Sequence, residues 1–200
     1  MTSLTRLGLL IPAAGASSRM RGRDKLLEEV DGLPLLVRQV HAALRLDVPV
    51  LVTLPSDQHP RHALVSGTKA TSKVPANSKE GISASLRTGA EWAAKNDFSG
   101  LMIILPDLPD ITSDDLSLLA GLHEKHPDTV MRATSADGQP GHPTVIPARL
   151  FPAMRQLTGD TGARDILRTE KIRPCPLAGT RAITDLDTPQ AWATWRAARR

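Results

Sequence analysis

Leu7-Gly-Leu-Leu-Ile11 runs straight into Pro12-Ala-Ala-Gly-Ala-Ser-Ser-Arg-Met-Arg-Gly-Arg-Asp-Lys25. The five opening residues have the length of a short buried strand. The proline, glycine and small residues that follow cannot prolong it, so a loop must begin there. Working outward, Leu36, Val37, Val40, Ala43 and Leu44 recur at helical spacing between Leu33 and Leu46, and Val48 to Leu54 is a second β-branched apolar run. Strand, loop, helix, strand is the βαβ unit. The pattern repeats: Ser83 to Lys95 carries Leu86, Ala90 and Ala93 on one helical face, and Leu101-Met-Ile-Ile-Leu105 reads as a third buried strand. Such alternation predicts an α/β fold of three layers, a mostly parallel twisted sheet with helices on both faces.

Further along, Thr112 or Ser113 can cap a helix running through Leu122, with Asp114 and Asp115 in its first turn as structural acids. Thr129 to Ala133 and Thr144 to Ile146 read as strands separated by the turn-rich Ser135-Ala-Asp-Gly-Gln-Pro-Gly141, and Pro189 opens a last helix to Arg200. His123 and His126 sit three apart beside Glu124. With no third ligand in view they read as a solvated helix end rather than a metal site. No repeat or long linker divides the chain, so residues 1–200 read as one domain, long enough to bury a full core without disulfides or structural metals.

Composition narrows the function. A hydrophobic fraction of 40% and a charged fraction of 23% are those of a globular protein and exclude disorder. With two Phe, three Trp and no Tyr, stacking platforms for nucleic-acid bases are scarce. The net charge of +4 favours an anionic partner, although Arg196, Arg199 and Arg200 account for part of it as a solvated tail. The other basic cluster, Arg19, Arg21, Arg23 and Lys25, adjoins the glycine loop, which points to a small phosphorylated ligand rather than to nucleic acid. Cys175 is the only cysteine, so no internal disulfide can form and a reducing cytoplasm fits. Leu7 to Ala14 is too short to span a bilayer and lacks a signal-peptide flank, so no membrane partner is expected.

The loop from Pro12 to Lys25 leaves the carboxyl end of the first strand, where open α/β sheets bind ligands. Gly15 lets the backbone come close to a phosphate, backbone N–H groups can line the concavity, and Ser17, Arg19 and Lys25 add hydroxyl and cationic donors. Neither glycine is followed by Lys-Ser or Lys-Thr, and the G-x-G-x-x-G fingerprint is missing. The loop is therefore neither a P-loop nor a dinucleotide motif, which discounts an oxidoreductase. Asp107 leaves the carboxyl edge of the third strand, so it and the Gly15 loop should face one crevice; turn statistics alone would make it an ordinary turn acid.

This opening stretch closely resembles the signature of the MobA-like nucleotidyltransferase family. The likeness continues through Asn77-Ser-Lys-Glu-Gly-Ile-Ser-Ala-Ser-Leu-Arg87, Leu105-Pro-Asp-Leu-Pro109, Gly141-His-Pro143, Gly159-Asp-Thr-Gly-Ala-Arg164 and Asp185-Leu-Asp-Thr-Pro189. Six blocks in order cover nearly the whole chain. Arg21, inserted before Gly22, and Pro106, before Asp107, depart from the family pattern. Ala14 gives the opening block the A-A-G form of the molybdenum cofactor cytidylyltransferases, whereas the guanylyltransferase branch usually carries A-G-G.

The resemblance implies the Rossmann-like nucleotide-diphospho-sugar transferase fold and transfer of a nucleotidyl group, CMP from CTP, to a phosphorylated acceptor, molybdopterin or its molybdenum-loaded form. It assigns Arg19, Lys25 and Asp107 to catalysis. Ala13, Ala14, Gly15, Ser17, Asn77, Gly81, Ser83 and Ser85 join Arg19 and Lys25 around the nucleotide. Asp107 and Asp187, with Asp185 as the alternative to the latter, would hold Mg2+. His142, Asp160 and Arg164 fall to the acceptor. Residue chemistry alone leaves Asp187 equally suited to capping the last helix, Ser83 and Ser85 to capping theirs, and His142 to packing in a turn. A molybdoenzyme or its chaperone would be the protein partner. The rival readings are a GTP-dependent molybdopterin guanylyltransferase, a sugar- or polyol-phosphate cytidylyltransferase, and a non-catalytic module that binds and delivers a cofactor.

Overall fold

A computed structural model describes residues 6–159 and 162–199. The opening run forms β1 (Leu7–Pro12), followed by a loop and a 3-10 turn at Ser18–Met20. A two-stranded hairpin, β2 (Glu29–Val30) and β3 (Leu33–Pro34), leads into α1 (Leu35–Leu44), β4 (Val50–Thr53), α2 (Pro60–Ser66) and β5 (Thr71–Lys73). Then come α3 (Ile82–Lys95), β6 (Gly100–Ile103), α4 (Ser113–Lys125), β7 (Val130–Thr134) and β8 (Pro140–Pro147). The chain closes with α5 (Phe151–Met154), α6 (Arg164–Leu167), β9 (Ile172–Pro176) and α7 (Pro189–Ala197).

Seven strands form one sheet in the order β5-β4-β1-β6-β8-β7-β9, in which β8 alone runs antiparallel to its neighbours. The chain moves from β1 outward through β4 to β5, then returns to place β6 on the other side of β1. That reversal opens a crevice above the carboxyl ends of β1 and β6, where α/β sheets bind their ligands. The three-layer, mostly parallel α/β fold expected from the sequence is the fold observed.

The strands are uniformly apolar because both faces are covered. Side chains alternate along β1, so Leu9 and Ile11 join α1, α4 and Trp192 of α7 on one face, while Leu10 joins α3, Phe151 and Met154 on the other. Leu35 and Leu36 of α1 are completely buried, which contributes roughly 1.5–3 kcal/mol each. A Cβ on Gly89 of α3 would lie 2.5 Å from Leu10 Cδ2, so that glycine lets helix and strand approach. From α1, Gln39 Nε2 donates to the Leu108 carbonyl (2.8 Å) and Arg38 Nε to that of Pro109 (3.2 Å), pinning the loop after β6.

Several elements differ from the sequence reading. The strand β5, Thr71-Ser-Lys73, is an edge strand with no apolar face, and β8 begins at Pro140, inside what reads as turn, and runs to Pro147, so it exceeds the expected Thr144 to Ile146 at both ends. His123 is 1% exposed and its Nε2 lies 3.1 Å from Ser99 Oγ, so it packs the base of β6 rather than ending a helix in solvent. Nor is the basic C-terminal segment simply solvated. Arg196 and Arg199 lie over Trp192 and Trp195, at 4.7 and 4.5 Å from the ring centroids, and pair with Glu28 and with Asp31 and Asp110. Thr112 caps α4 reciprocally with Asp115, which confirms that acid as structural. No helix among the described residues is long and apolar enough to cross a membrane.

Candidate active site

Three chain segments meet above β1 and β6. The first is the loop 13–17. Arg61, 1% exposed, reaches it from α2: its Nη1 donates to the carbonyls of Ala13 (2.6 Å) and Gly15 (2.7 Å), and its Nη2 to Ser17 Oγ (3.0 Å). Asp24 balances the guanidinium, taking Nε at 2.8 Å and Nη2 at 2.6 Å, and also accepts from Ser17 Oγ and the Leu26 amide. Burial pushes the Asp24 carboxyl up, but Arg61 and the other donors outweigh it and hold it below the usual carboxylate range. With its carbonyls drawn inward by Arg61, the loop takes a left-handed turn at Ser17 (φ 50°) and again at Arg21 (φ 53°). Gly15 needs no such freedom, and a Cβ there would meet no protein atom within 4 Å.

The second segment is the turn after β6, carrying Asp107. The third is 185–188, brought alongside by the Leu186 amide, which donates to the Asp107 carbonyl (3.0 Å), and by Trp192 Nε1, which donates to the Leu186 carbonyl (3.1 Å). Thr188 Oγ1, not Asp187, caps α7 by accepting from the Ala191 amide (3.1 Å), which leaves the Asp187 carboxylate to the crevice.

There Lys25 Nζ bridges the two acids, at 2.6 Å from Asp107 Oδ2 and 2.5 Å from Asp187 Oδ1, and Arg19 Nη1 binds Asp187 Oδ2 at 2.5 Å. Burial disfavours the charged amine of Lys25, yet the two carboxylates more than offset this and raise its pKa. Asp107 is pushed up by burial, which Lys25 only partly counters, and its Oδ1 is buried without a hydrogen-bond partner. Burial also acts upward on Asp187, but Lys25 and Arg19 prevail and hold it low.

A hard divalent cation fits this donor set. Two carboxylates face one point, a buried oxygen lacks a donor, and oxygen ligands suit Mg2+. Among the described residues no group of three His, Cys, Asp or Glu side chains could hold an ion alone, so the remaining ligands would be water and phosphate.

The cluster borders a cavity of about 360 Å³ lined by Ala13, Gly15, Ser17, Arg19, Lys25, Gly81, Ser85, Asp107 and Asp187. Of the other residues assigned to the nucleotide by resemblance, Ala14, Asn77 and Ser83 do not line it. Asn77 is exposed in a left-handed turn, and Ser83 is buried with its hydroxyl donating to the Thr158 carbonyl (3.3 Å). Neither Ser83 nor Ser85 caps α3, whose N-cap is Gly81 (φ 73°, ψ −146°), a backbone conformation reserved for glycine. Asp185 is exposed and stands outside the cavity. His142 and Arg164 line a second cavity that shares Ile82 with the first, and Asp160 lies outside the described residues. Sequence reading missed Arg61 and Asp24; Pro60 was a signal for the helix that carries Arg61, though not for its burial. It also missed Arg132 in the second cavity.

The fold is shared with solved structures. The Mycobacterium tuberculosis H37Rv protein Rv0371c in complex with manganese superposes with a TM-score of 0.76 at 20% identity, over 95% of this chain and 97% of that one. A CMP:2-keto-3-deoxy-manno-octonic acid synthetase complexed with CTP gives a TM-score of 0.72 at 18% identity over 97% and 98%. In sequence, the purine catabolism protein PucB of Bacillus subtilis (strain 168) is 25% identical over 191 residues, 90% of this chain and 91% of that protein. The family model for the MobA-like NTP transferase domain matches residues 9–175, and the chain belongs to that family.

Proposed function

We propose that the chain is a Mg2+-dependent cytidylyltransferase that moves CMP from CTP to a phosphorylated acceptor, molybdopterin or its molybdenum-loaded form. The observation that carries this reading is the bridge of Lys25 between Asp107 and Asp187, which lines one cavity of about 360 Å³ together with Gly15 of the loop. A terminal phosphate oxygen of the acceptor attacks the α-phosphorus. The bond to the β-phosphate oxygen breaks, and pyrophosphate leaves with the negative charge. No nucleophilic side chain is required, so the protein supplies position and cations.

Lys25 and Arg19 now spend their charge on carboxylates; an arriving triphosphate offers them a denser anion at the same place. Asp107 and Asp187 would hold a divalent cation, which would neutralise charge on the phosphates when bound. The backbone of the loop 13–17, held in shape by Arg61, would receive the phosphates. A solved relative in fold that is complexed with manganese and another with CTP support the choice of ligands. The acceptor would enter through the second cavity, with His142 and Arg164 on its wall.

Pyrophosphate release tests the reading, with Mg2+ and CTP, GTP, ATP or UTP in turn, each with and without molybdopterin. Release with CTP that needs the acceptor supports it. Release with GTP instead moves the chain to guanylyl transfer, and nucleotide binding without release under any condition leaves a delivery module.

A further inference from the structure

The second cavity, of about 440 Å³, has a wall chemistry that the transfer reaction does not demand. Three arginines face it: Arg132 from β7, and Arg164 and Arg168 from α6 and its end. Among the described residues none of the three meets a carboxylate, and no acid lines the cavity. Arg132 is fixed at one corner only, its Nε donating to the Gly141 carbonyl at 3.0 Å, which leaves the outer nitrogens of the fork for a ligand. Burial and the nearby Arg164 both disfavour its charge, a cost that a bound anion would remove.

Most of the remaining wall is aliphatic, from Ile82 and Leu86 of α3 through Ile103 and Ile146 to Ile172. Uncharged polar side chains are few. Thr144 supplies a hydroxyl, and His142 is pushed down to about 4 by burial and by Arg132, so its ring is neutral at pH 7. A sugar or polyol would bury several hydroxyl groups against isoleucine, and each unpaired one costs free energy.

We infer that this cavity selects an acceptor by two features at once, a phosphate monoester anchored by Arg132 and a body poor in hydroxyl groups. The inference rests on the reading of the cavity as the acceptor side of a nucleotidyltransferase, and it separates this chain from enzymes built for hydroxyl-rich phosphates. Arg132 is the specificity residue for the anion, since its guanidinium offers paired donors that match a phosphate edge. The aliphatic wall discriminates between bodies.

Calorimetric titration of the full chain with hexyl phosphate and with glycerol 3-phosphate tests it without turnover. Hexyl phosphate should bind at least about tenfold more tightly, and Arg132→Met should weaken it by about tenfold or more while the thermal melt stays near that of the parent. Arg132→Lys, which keeps the charge and loses the fork, should fall between the two and guards against misfolding of the methionine variant. Equal affinity for the two phosphates overturns the inference, as does a loss that follows Arg19→Met rather than Arg132→Met, because the phosphate would then sit in the nucleotide cavity. Hexyl phosphate binding that depends on Arg132 in a protein releasing no pyrophosphate would keep this site and discard the transferase reading. Full-rate transfer to a hydroxyl-rich acceptor would do the reverse.

Discussion

Replacing Arg61 by methionine keeps an apolar stem of similar length and removes the three side-chain hydrogen bonds that it makes to the loop 13–17. The Asp24 carboxylate, 16% exposed at its side chain, would lose its bidentate partner and keep only the Leu26 amide and the Ser17 hydroxyl. The carbonyls of Ala13 and Gly15 would each lose a charged donor. Breaking a buried ion pair from one side costs about 3–5 kcal/mol. Partial access of Asp24 to water argues for the lower half of that range, about 3 kcal/mol. For a chain of this size each kcal/mol moves Tm by about 2–4 °C, so a calorimetric melt at pH 7 should fall by about 6–12 °C. Because Arg61 holds Asp24 below its unfolded pKa, that stability is present above the unfolded value and is lost as pH falls through the folded one. The Asp24 part of the gap between parent and variant should therefore shrink in acid. Surviving variant should also bind CTP more weakly, since nothing then draws the loop carbonyls inward. A Tm within about 2 °C of the parent, or a gap that persists unchanged below pH 4, would refute the reasoning.

Asp107→Asn should lower pyrophosphate release by about a hundredfold or more while leaving Tm unchanged or higher, because it removes a charge that burial already disfavours; turnover like that of the parent would remove the metal assignment. Lys25→Met should bind Mn2+ alone more tightly than the parent, read by the loss of the free-ion electron paramagnetic resonance signal, and bind CTP more weakly. Arg19→Met, whose parent side chain is 71% exposed and pairs with Asp187, should change metal binding less. The His142 ring should show no titration between pH 6 and 8 by NMR. Its neutral form is the one the fold favours, so its contribution to stability is full above pH 6.5 and declines as pH falls toward about 4.

The parts legible in the sequence were those written in runs. Leu7 to Ile11 and Leu101 to Leu105 announce central strands because both faces of a parallel sheet demand apolar side chains, and their carboxyl ends locate the crevice. Polar edge strands give no such signal: Thr71-Ser-Lys73 joins the sheet through backbone hydrogen bonds to β4. Asp107 was visible as an acid at a strand end. Its meeting with Asp187, 80 positions away, depends on the Leu186 amide and on α7 docking through Trp192. Arg61 was hidden for another reason. A buried arginine is rare enough that sequence reading assigns it to solvent, and its partner Asp24, two loop carbonyls and the Ser17 hydroxyl make the burial tolerable. Arg132 likewise sits within an apolar strand, and only the fold turns it toward Arg164.

Transfer of label tests the central claim most directly. CTP labelled in its α-phosphate, mixed with the protein, Mg2+ and molybdopterin, should pass the label to the acceptor in equal amount to the pyrophosphate formed, and CTP labelled at the γ-phosphate should leave its label entirely in pyrophosphate. Label from the γ-position in the acceptor, or none from the α-position while CTP binds normally, would contradict nucleotidyl transfer at this site.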